Sequence, residues 1–378
     1  MTVVSGVRVV AGDRVIDDGF VRIEGDRIAE IGSLGTTTPG SAPEPDASAG
    51  VVVPGFVDIH VHGGGGATFT TGDPDEARKA AAYHLGHGTT TMLASLVTSP
   101  PELMLSATKA FAPLVAEGVL AGIHFEGPYL SQARCGAQNP AHLRHPSLDE
   151  IGALIEAGEG AVRLVTIAPE LPGALDAIRL LVARGVVAAI GHTDATYEET
   201  LAGIEAGATV GTHVFNGMRP PHHRQPGPVF ALLGAAGVVC EFVADGIHLH
   251  DGTLAFAASV TGPARAALIT DAMAAAGMPD GTYELGGQSV DVAGGVARLT
   301  RDGAIAGSTL TMDSAFRRAV GAGLSLAAAS RMASATPAGA IGLAEERGAL
   351  RMGARADLVL LDDALSVRRV MRGGQWVS

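Results

Sequence analysis

The chain has 378 residues, 47% of them hydrophobic, with 52 glycines. That composition excludes a disordered chain and suits a folded α/β protein rich in tight turns, with one large domain and a smaller one. The net charge of −13 excludes a general nucleic-acid binder, which needs a basic face, and leaves any anionic substrate to be caught by local positive groups. No run of about 18 apolar residues marks a membrane span, and the N-terminal stretch lacks the basic-then-apolar pattern of a secretory signal. The two cysteines, Cys135 and Cys240, make no disulfide framework. A cytoplasmic protein with no membrane or nucleic-acid partner is the expectation.

In chain order, residues 1–50 hold short alternating apolar runs, VRVVAG, RVIDDGFVRIEG and DRIAEIG, broken by Gly and Asp. They predict antiparallel strands. GTTTPGSAPEPDASAG at 35–50 reads as a connector. From residue 51 apolar runs alternate with helical stretches. The runs are VVVPGFVDIHV (51–61), TTTMLASLVT (89–98), VLAGIHFEG (119–127), AVRLVTIAPE (161–170), GVVAAIGHT (185–193), ATVGTHVFN (208–216), VVCEFVADG (238–246) and AALITDA (266–272). DPDEARKAAAYHLGHG and DATYEETLAGIEAG lie between such runs; Asp194 is the expected N-cap of the second, and Gly207 its end. Eight strands alternating with helices predict an α/β fold, a (β/α)8 TIM-type barrel over 51–347. The 280–305 stretch, with GTYELGGQSVDVAGGVARLT, alternates like a hairpin and follows the last strand as an elaboration. Residues 348–378 return to β character in ADLVLLD and VRRVMRGGQWV. The two ends, 1–50 and 348–378, are therefore expected to build one small β-sandwich domain.

Polar residues fall at the ends of these runs. His60, His62, Glu126, His192, His213 and Asp271 would meet on the barrel face where the strand C-termini converge. His60 and His62 are two apart on a strand and point the same way, either to a metal or to solvent. Glu126, between apolar neighbours in HFEGPYL, is costly unless paired or bound to a cation. With His192 and His213 it forms a set of two imidazoles and one carboxylate, an arrangement that holds catalytic zinc and leaves positions open for water. Asp271 in LITDAM is placed to move protons at such a site. The loop FNGMRPPHHRQPG (215–227) gathers Asn216, Gly217, Arg219, His222, His223 and Arg224. It reads as a cationic cradle for a phosphate or carboxylate, or as a solvated loop. His248 adds a candidate at the end of the seventh strand.

The motifs PGFVDIHVHG, HFEGPYL, GAQNP, IGHTDA, THVFNGM, VADGIHLH, ITDAM and AGSTLTM, in that order over nearly the whole chain, resemble the signature of the N-acetylglucosamine-6-phosphate deacetylases, a family of the amidohydrolase superfamily. The resemblance implies Glu126, His192 and His213 as metal ligands and Asp271 as catalytic acid and base. It adds His60 and His62, as in relatives that take a second ion. It implies substrate contacts from Asn216, Gly217, Arg224 and His248, from Ala137 and Gln138 in the lid, and from Ile305, Ala306 and Gly307. The implied cofactor is a divalent metal, zinc first with Fe, Co or Mn as alternatives, one or two per subunit. The implied assembly is a homodimer whose neighbouring subunit helps bind the phosphate. The implied reaction converts N-acetyl-D-glucosamine 6-phosphate to D-glucosamine 6-phosphate and acetate, in amino-sugar catabolism and cell-wall sugar recycling. The galactosamine isomer as substrate, or a catalytically silent binding barrel, are the alternatives. A cyclic-amide hydrolase would need a lysine at a strand end, and the only lysines, Lys79 and Lys109, lie in helical stretches. The sequence departs from the family in the lid, where Gln138 stands in place of a histidine; amide polarisation then falls to the metal or to a neighbour such as His142. Cys135 in the same lid is either metal-proximal or an ordinary loop residue.

Overall fold

The computed structural model describes residues 1–35 and 50–377; the connector expected at 35–50 lies almost wholly outside them. Eight parallel strands hydrogen-bond in sequence order: β1 (Phe56–Asp58), β2 (Thr89–Val97), β3 (Gly122–Glu126), β4 (Val162–Ile167), β5 (Val187–Ile190), β6 (Val210–Gly211), β7 (Val239–Val243) and β8 (Ala266–Ile269). A helix follows each of them, from Pro74–Gly86 after β1 to Met312–Gly321 after β8. The strands are short, apolar and covered on both faces, as a parallel sheet requires; β2 is buried at every position. The barrel is nearly closed. Past the strand ends the Asp271 amide donates to the His60 carbonyl at 2.9 Å, and Thr270 Oγ1 donates to Asp58 Oδ2 at 2.5 Å.

The run 51–61 is not one barrel strand. Val51–Pro54 pairs in parallel with Thr2–Ala11 and antiparallel with Leu358–Leu361, and only Phe56–Asp58 enters the barrel. Pro54 has no amide hydrogen with which to extend a ladder, so the chain changes sheets there. Both ends of the chain meet on this strand in one continuous seven-stranded ladder, from Gln375–Val377 at one edge to Arg27–Ser33 at the other. Val4, Val9, Val21, Ile23, Val52, Leu358 and Leu360 form its buried core.

Two further expectations change. Asp194 does not cap the helix Tyr197–Glu205. Thr196 does, in a reciprocal box with Glu199, and Asp194 is spent instead on Arg134 and Arg219. The elaboration after β8 is a three-stranded antiparallel sheet (Gly281–Leu285, Gln288–Ala293, Val296–Leu299) with its own core around Leu285, Val290 and Leu299. It leans over the barrel mouth, where Gln288 Nε2 and Arg301 Nη2 donate to the backbone carbonyls of Ala137 and Gly136.

Candidate metal centre

The predicted donors sit at or just beyond the last residue of their strands. Glu126 ends β3, and His60, His192, His213 and Asp271 each stand two residues past β1, β5, β6 and β8. At these positions the chain turns sharply out of the sheet. His192, His213 and Asp271 have positive φ values of 46°, 26° and 51°, conformations that non-glycine residues adopt at a cost and that cluster at functional sites. Gly217 (φ 58°) lets the following loop press onto His192, since a β-carbon there would lie 2.8 Å from His192 Nδ1.

All six side chains are buried. Glu126 Oε1 lies 2.9 Å from both His192 Nε2 and His213 Nε2, and those two nitrogens are 3.1 Å apart. Glu126 Oε2 and Asp271 Oδ1 are each 3.2 Å from His62 Nε2. His60 Nε2 is 3.2 Å from His62 Nε2, 3.4 Å from Glu126 Oε1 and 3.6 Å from Asp271 Oδ1. Two overlapping groups, His60 with Glu126 and His213, and His60 with His62 and Asp271, hold their ligand atoms within 4.8 Å of one another.

The outward ring nitrogens fix the tautomers. His62 Nδ1 donates to the Ser95 carbonyl at 3.0 Å, and His192 Nδ1 to that of Arg134 at 2.8 Å. A carbonyl can only accept, so each Nε2 turns a lone pair inward. Inward lone pairs facing one another beside two carboxylates repel, and a shared cation relieves them. The charges agree. Burial alone would lower the histidine pKa values, but Glu126 with Glu241 holds His60 well above its ordinary value, and Asp271 with Glu126 raises His62 to about 9. Burial opposes ionisation of Asp271, yet the hydrogen bond from His62 and the charges of His60 and His62 pull it down to about 2. Glu126 is likewise held well below the carboxylate range against its burial, by His60 and His192. Two ionised carboxylates ringed by imidazoles fit a divalent cation.

Above the donors opens a cavity of about 270 Å³. Glu126, His62, His192, His213 and Asp271 line its floor, and Ala137, Gln138, Asn216, Gly217, His248, Ile305 and Gly307 its walls. His248 Nδ1 is 2.7 Å from Asp245 Oδ2, and its Nε2 is 3.9 Å from Asp271 Oδ2. Three expected contacts are not brought into this cavity. Arg224 is exposed and reaches His223. Ala306 is buried in the core of the three-stranded sheet. Cys135 closes the short turn Gln132–Arg134, half-buried, and belongs to neither ligand group. His142, on the turn Pro140–His142, also stays outside the lining. Arg219, in the expected cationic loop, is neutralised by Asp194 at 3.0 Å.

Sequence reading missed Glu241, which stands 3.1 Å from His60 Nδ1. It also missed His124, packed edge-on against His60 at 4.6 Å between ring centres and held by Ser95 Oγ and Thr166 Oγ1. The signal that picked out Glu126, a lone carboxylate in an apolar run, was present for Glu241 in VVCEFV.

The model of the amidohydrolase family matches residues 51–377. The N-acetylgalactosamine-6-phosphate deacetylase of Escherichia coli O157:H7 is 38% identical, over 98% of this chain and 98% of its own. The N-acetylglucosamine-6-phosphate deacetylase of Bacillus subtilis (strain 168) is 33% identical, over 98% of this chain and 96% of its own. Among solved structures, the N-acetyl-D-glucosamine-6-phosphate deacetylase of Mycobacterium smegmatis is 47% identical with a TM-score of 0.96, covering 100% of both chains. A mutant of that enzyme in complex with N-acetyl-D-glucosamine-6-phosphate superimposes equally well, covering 99% of this chain and 98% of its own. The chain belongs to the amidohydrolase family and, within it, to the N-acetylglucosamine-6-phosphate deacetylases, metal-dependent hydrolases on a TIM-type barrel.

Proposed function

We propose that this chain hydrolyses the N-acetyl amide of N-acetyl-D-glucosamine 6-phosphate to D-glucosamine 6-phosphate and acetate. The observation that carries the reading is the convergence of an ionised Asp271 with the inward-facing His/Glu donors on the floor of one cavity. Glu126, His192 and His213 would hold a divalent cation, zinc first and Fe, Co or Mn as alternatives, with His60 and His62 extending the donor set toward a second. Bound there, the cation supplies positive charge that acidifies a water and stabilises negative charge on the amide oxygen.

The protein's own groups do the rest. The Asp271 carboxylate accepts the proton of the attacking water and returns it to the departing amine nitrogen. His248, braced by Asp245, stands beside Asp271 and contacts the sugar. Asn216 and Gly217 on one wall, with Ala137, Gln138, Ile305 and Gly307, shape the pocket so that the acetyl group enters toward Asp271. Among the described residues no Arg or Lys lines this cavity. The phosphate therefore falls to His248, to the exposed loop with Arg224, and to a neighbouring subunit of a homodimer. A phosphorylated amino sugar and free Cys135 and Cys240 fit a cytoplasmic enzyme of amino-sugar catabolism and cell-wall sugar recycling.

The test is a substrate panel read by amine release from the metal-loaded protein. It includes N-acetylglucosamine and N-acetylgalactosamine, each with and without the 6-phosphate. Fastest release from N-acetylglucosamine 6-phosphate, with loss of most activity when the phosphate is absent, is expected. No release from either phosphosugar ends the proposal. The galactosamine arm is included because one epimeric hydroxyl rests on few hydrogen bonds and one relative carries that name.

A further inference from the structure

Glu241 lies on β7, fully buried, and neither lines the cavity nor belongs to either group of candidate ligands. Its Oε2 faces His60 Nδ1 at 3.1 Å and accepts the backbone N–H of His213 at 3.2 Å. Its Oε1 has no hydrogen-bond partner. A strand that packed only for stability would carry an aliphatic side chain here, because a buried carboxylate with an idle oxygen is costly. The neighbouring Phe242 and Val243 do carry apolar side chains, and the chain keeps a carboxylate between them and Cys240.

The contact has a chemical consequence. The carboxylate can only accept from His60, so in the neutral ring the His60 proton sits on Nδ1 and the Nε2 lone pair turns toward Glu126 and Asp271. His60 is shared by both candidate ligand groups, and His213 belongs to one of them. One carboxylate oxygen thus sets the ring orientation of the shared ligand and ties it to the chain segment that carries another. We infer that Glu241 is a positioning residue of the metal centre, locking His60 in the ligating tautomer and joining it to the His213 backbone. The inference rests on the metal reading proposed above.

Glu241→Gln keeps an oxygen that accepts from Nδ1 but loses the charge; Glu241→Leu loses both. Full-length protein is stripped with a chelator and titrated with Zn2+ against a chromophoric competitor. A parallel Co2+ titration reads ligand geometry from the visible d–d bands. The melting temperature of each metal-free protein is recorded alongside. Glu241→Gln is expected to weaken Zn2+ affinity about tenfold and Glu241→Leu about a hundredfold, the range found when such supporting carboxylates are removed. The Co2+ bands should shift, and metal-free Glu241→Gln should melt no lower than wild type. Wild-type affinity with unchanged Co2+ bands in Glu241→Gln overturns the inference, and a lowered metal-free melting temperature beside wild-type affinity marks a purely structural residue. If Glu241→Leu does not fold, Glu241→Gln alone carries the test. A wild-type protein that binds neither Zn2+ nor Co2+ overturns the metal reading and this inference together, an outcome distinct from the others.

Discussion

Gln138 holds Glu126 from the outer side: Gln138 Nε2 donates to Glu126 Oε2 at 2.5 Å, while Gln138 Oε1 accepts the Thr98 amide at 2.7 Å. Both ends of the Gln138 amide are engaged, and the side chain is buried. The lid residue that departs from the family pattern therefore orients the Glu126 carboxylate, and a neutral donor suits that task without competing with a cation for charge.

Removing that donor should be felt at the metal before it is felt at the substrate. Gln138→Leu leaves the Thr98 amide and one lone pair of Glu126 unpaired in a buried site, at a cost of about 1–3 kcal/mol. Expected are a lower melting temperature and roughly tenfold weaker metal retention under dialysis against chelator. Full metal content and wild-type stability in this variant would return Gln138 to a role at the substrate carbonyl.

Asp271→Asn tests the proton path. The amide keeps the shape of the carboxylate but has no basic oxygen to take the proton from water. A fall in kcat of about 10²–10⁴ is expected, with the ion held by Glu126, His192 and His213 retained. Turnover measured beside metal analysis of the same sample decides it. Near-full activity at full metal content removes Asp271 from the chemistry.

His84 gives the fold a pH dependence separate from the centre. It sits fully buried on the helix Pro74–Gly86, with Nε2 donating to the Gly63 carbonyl at 2.9 Å and Nδ1 unpartnered. Burial pushes its pKa down from 6.5 to about 4. The folded state thus refuses a proton that the unfolded chain accepts. The stability this confers is complete above pH 6.5 and is lost as pH falls toward 4, roughly 3 kcal/mol in all. Urea unfolding at pH 7 and pH 4.5 should show wild type losing about 2–3 kcal/mol more than His84→Gln, which keeps a donor but cannot titrate. Parallel losses in the two proteins would contradict the assignment.

The sequence by itself determined the barrel and which polar residues gather at its strand ends. Apolar runs alternating with helical stretches are local patterns, and a polar residue at the end of such a run needs only the barrel's geometry to reach the common face. Glu126, His192, His213, Asp271 and the His60/His62 pair were legible for that reason. The tertiary structure alone decided how the donors are held. Gln138 meets Glu126 across 12 positions, Arg134 meets Asp194 across 60, and Glu241 meets His60 across 181. No periodicity links such pairs, because each depends on which loop folds over which strand end. The same reason explains the two misread elements. Val51–Pro54 has the apolar character of a barrel strand, and Asp194 the chemistry of a helix cap. Each was claimed by partners distant in the chain, a second sheet for one and two arginines for the other, whose hydrogen bonds outweigh the local preference.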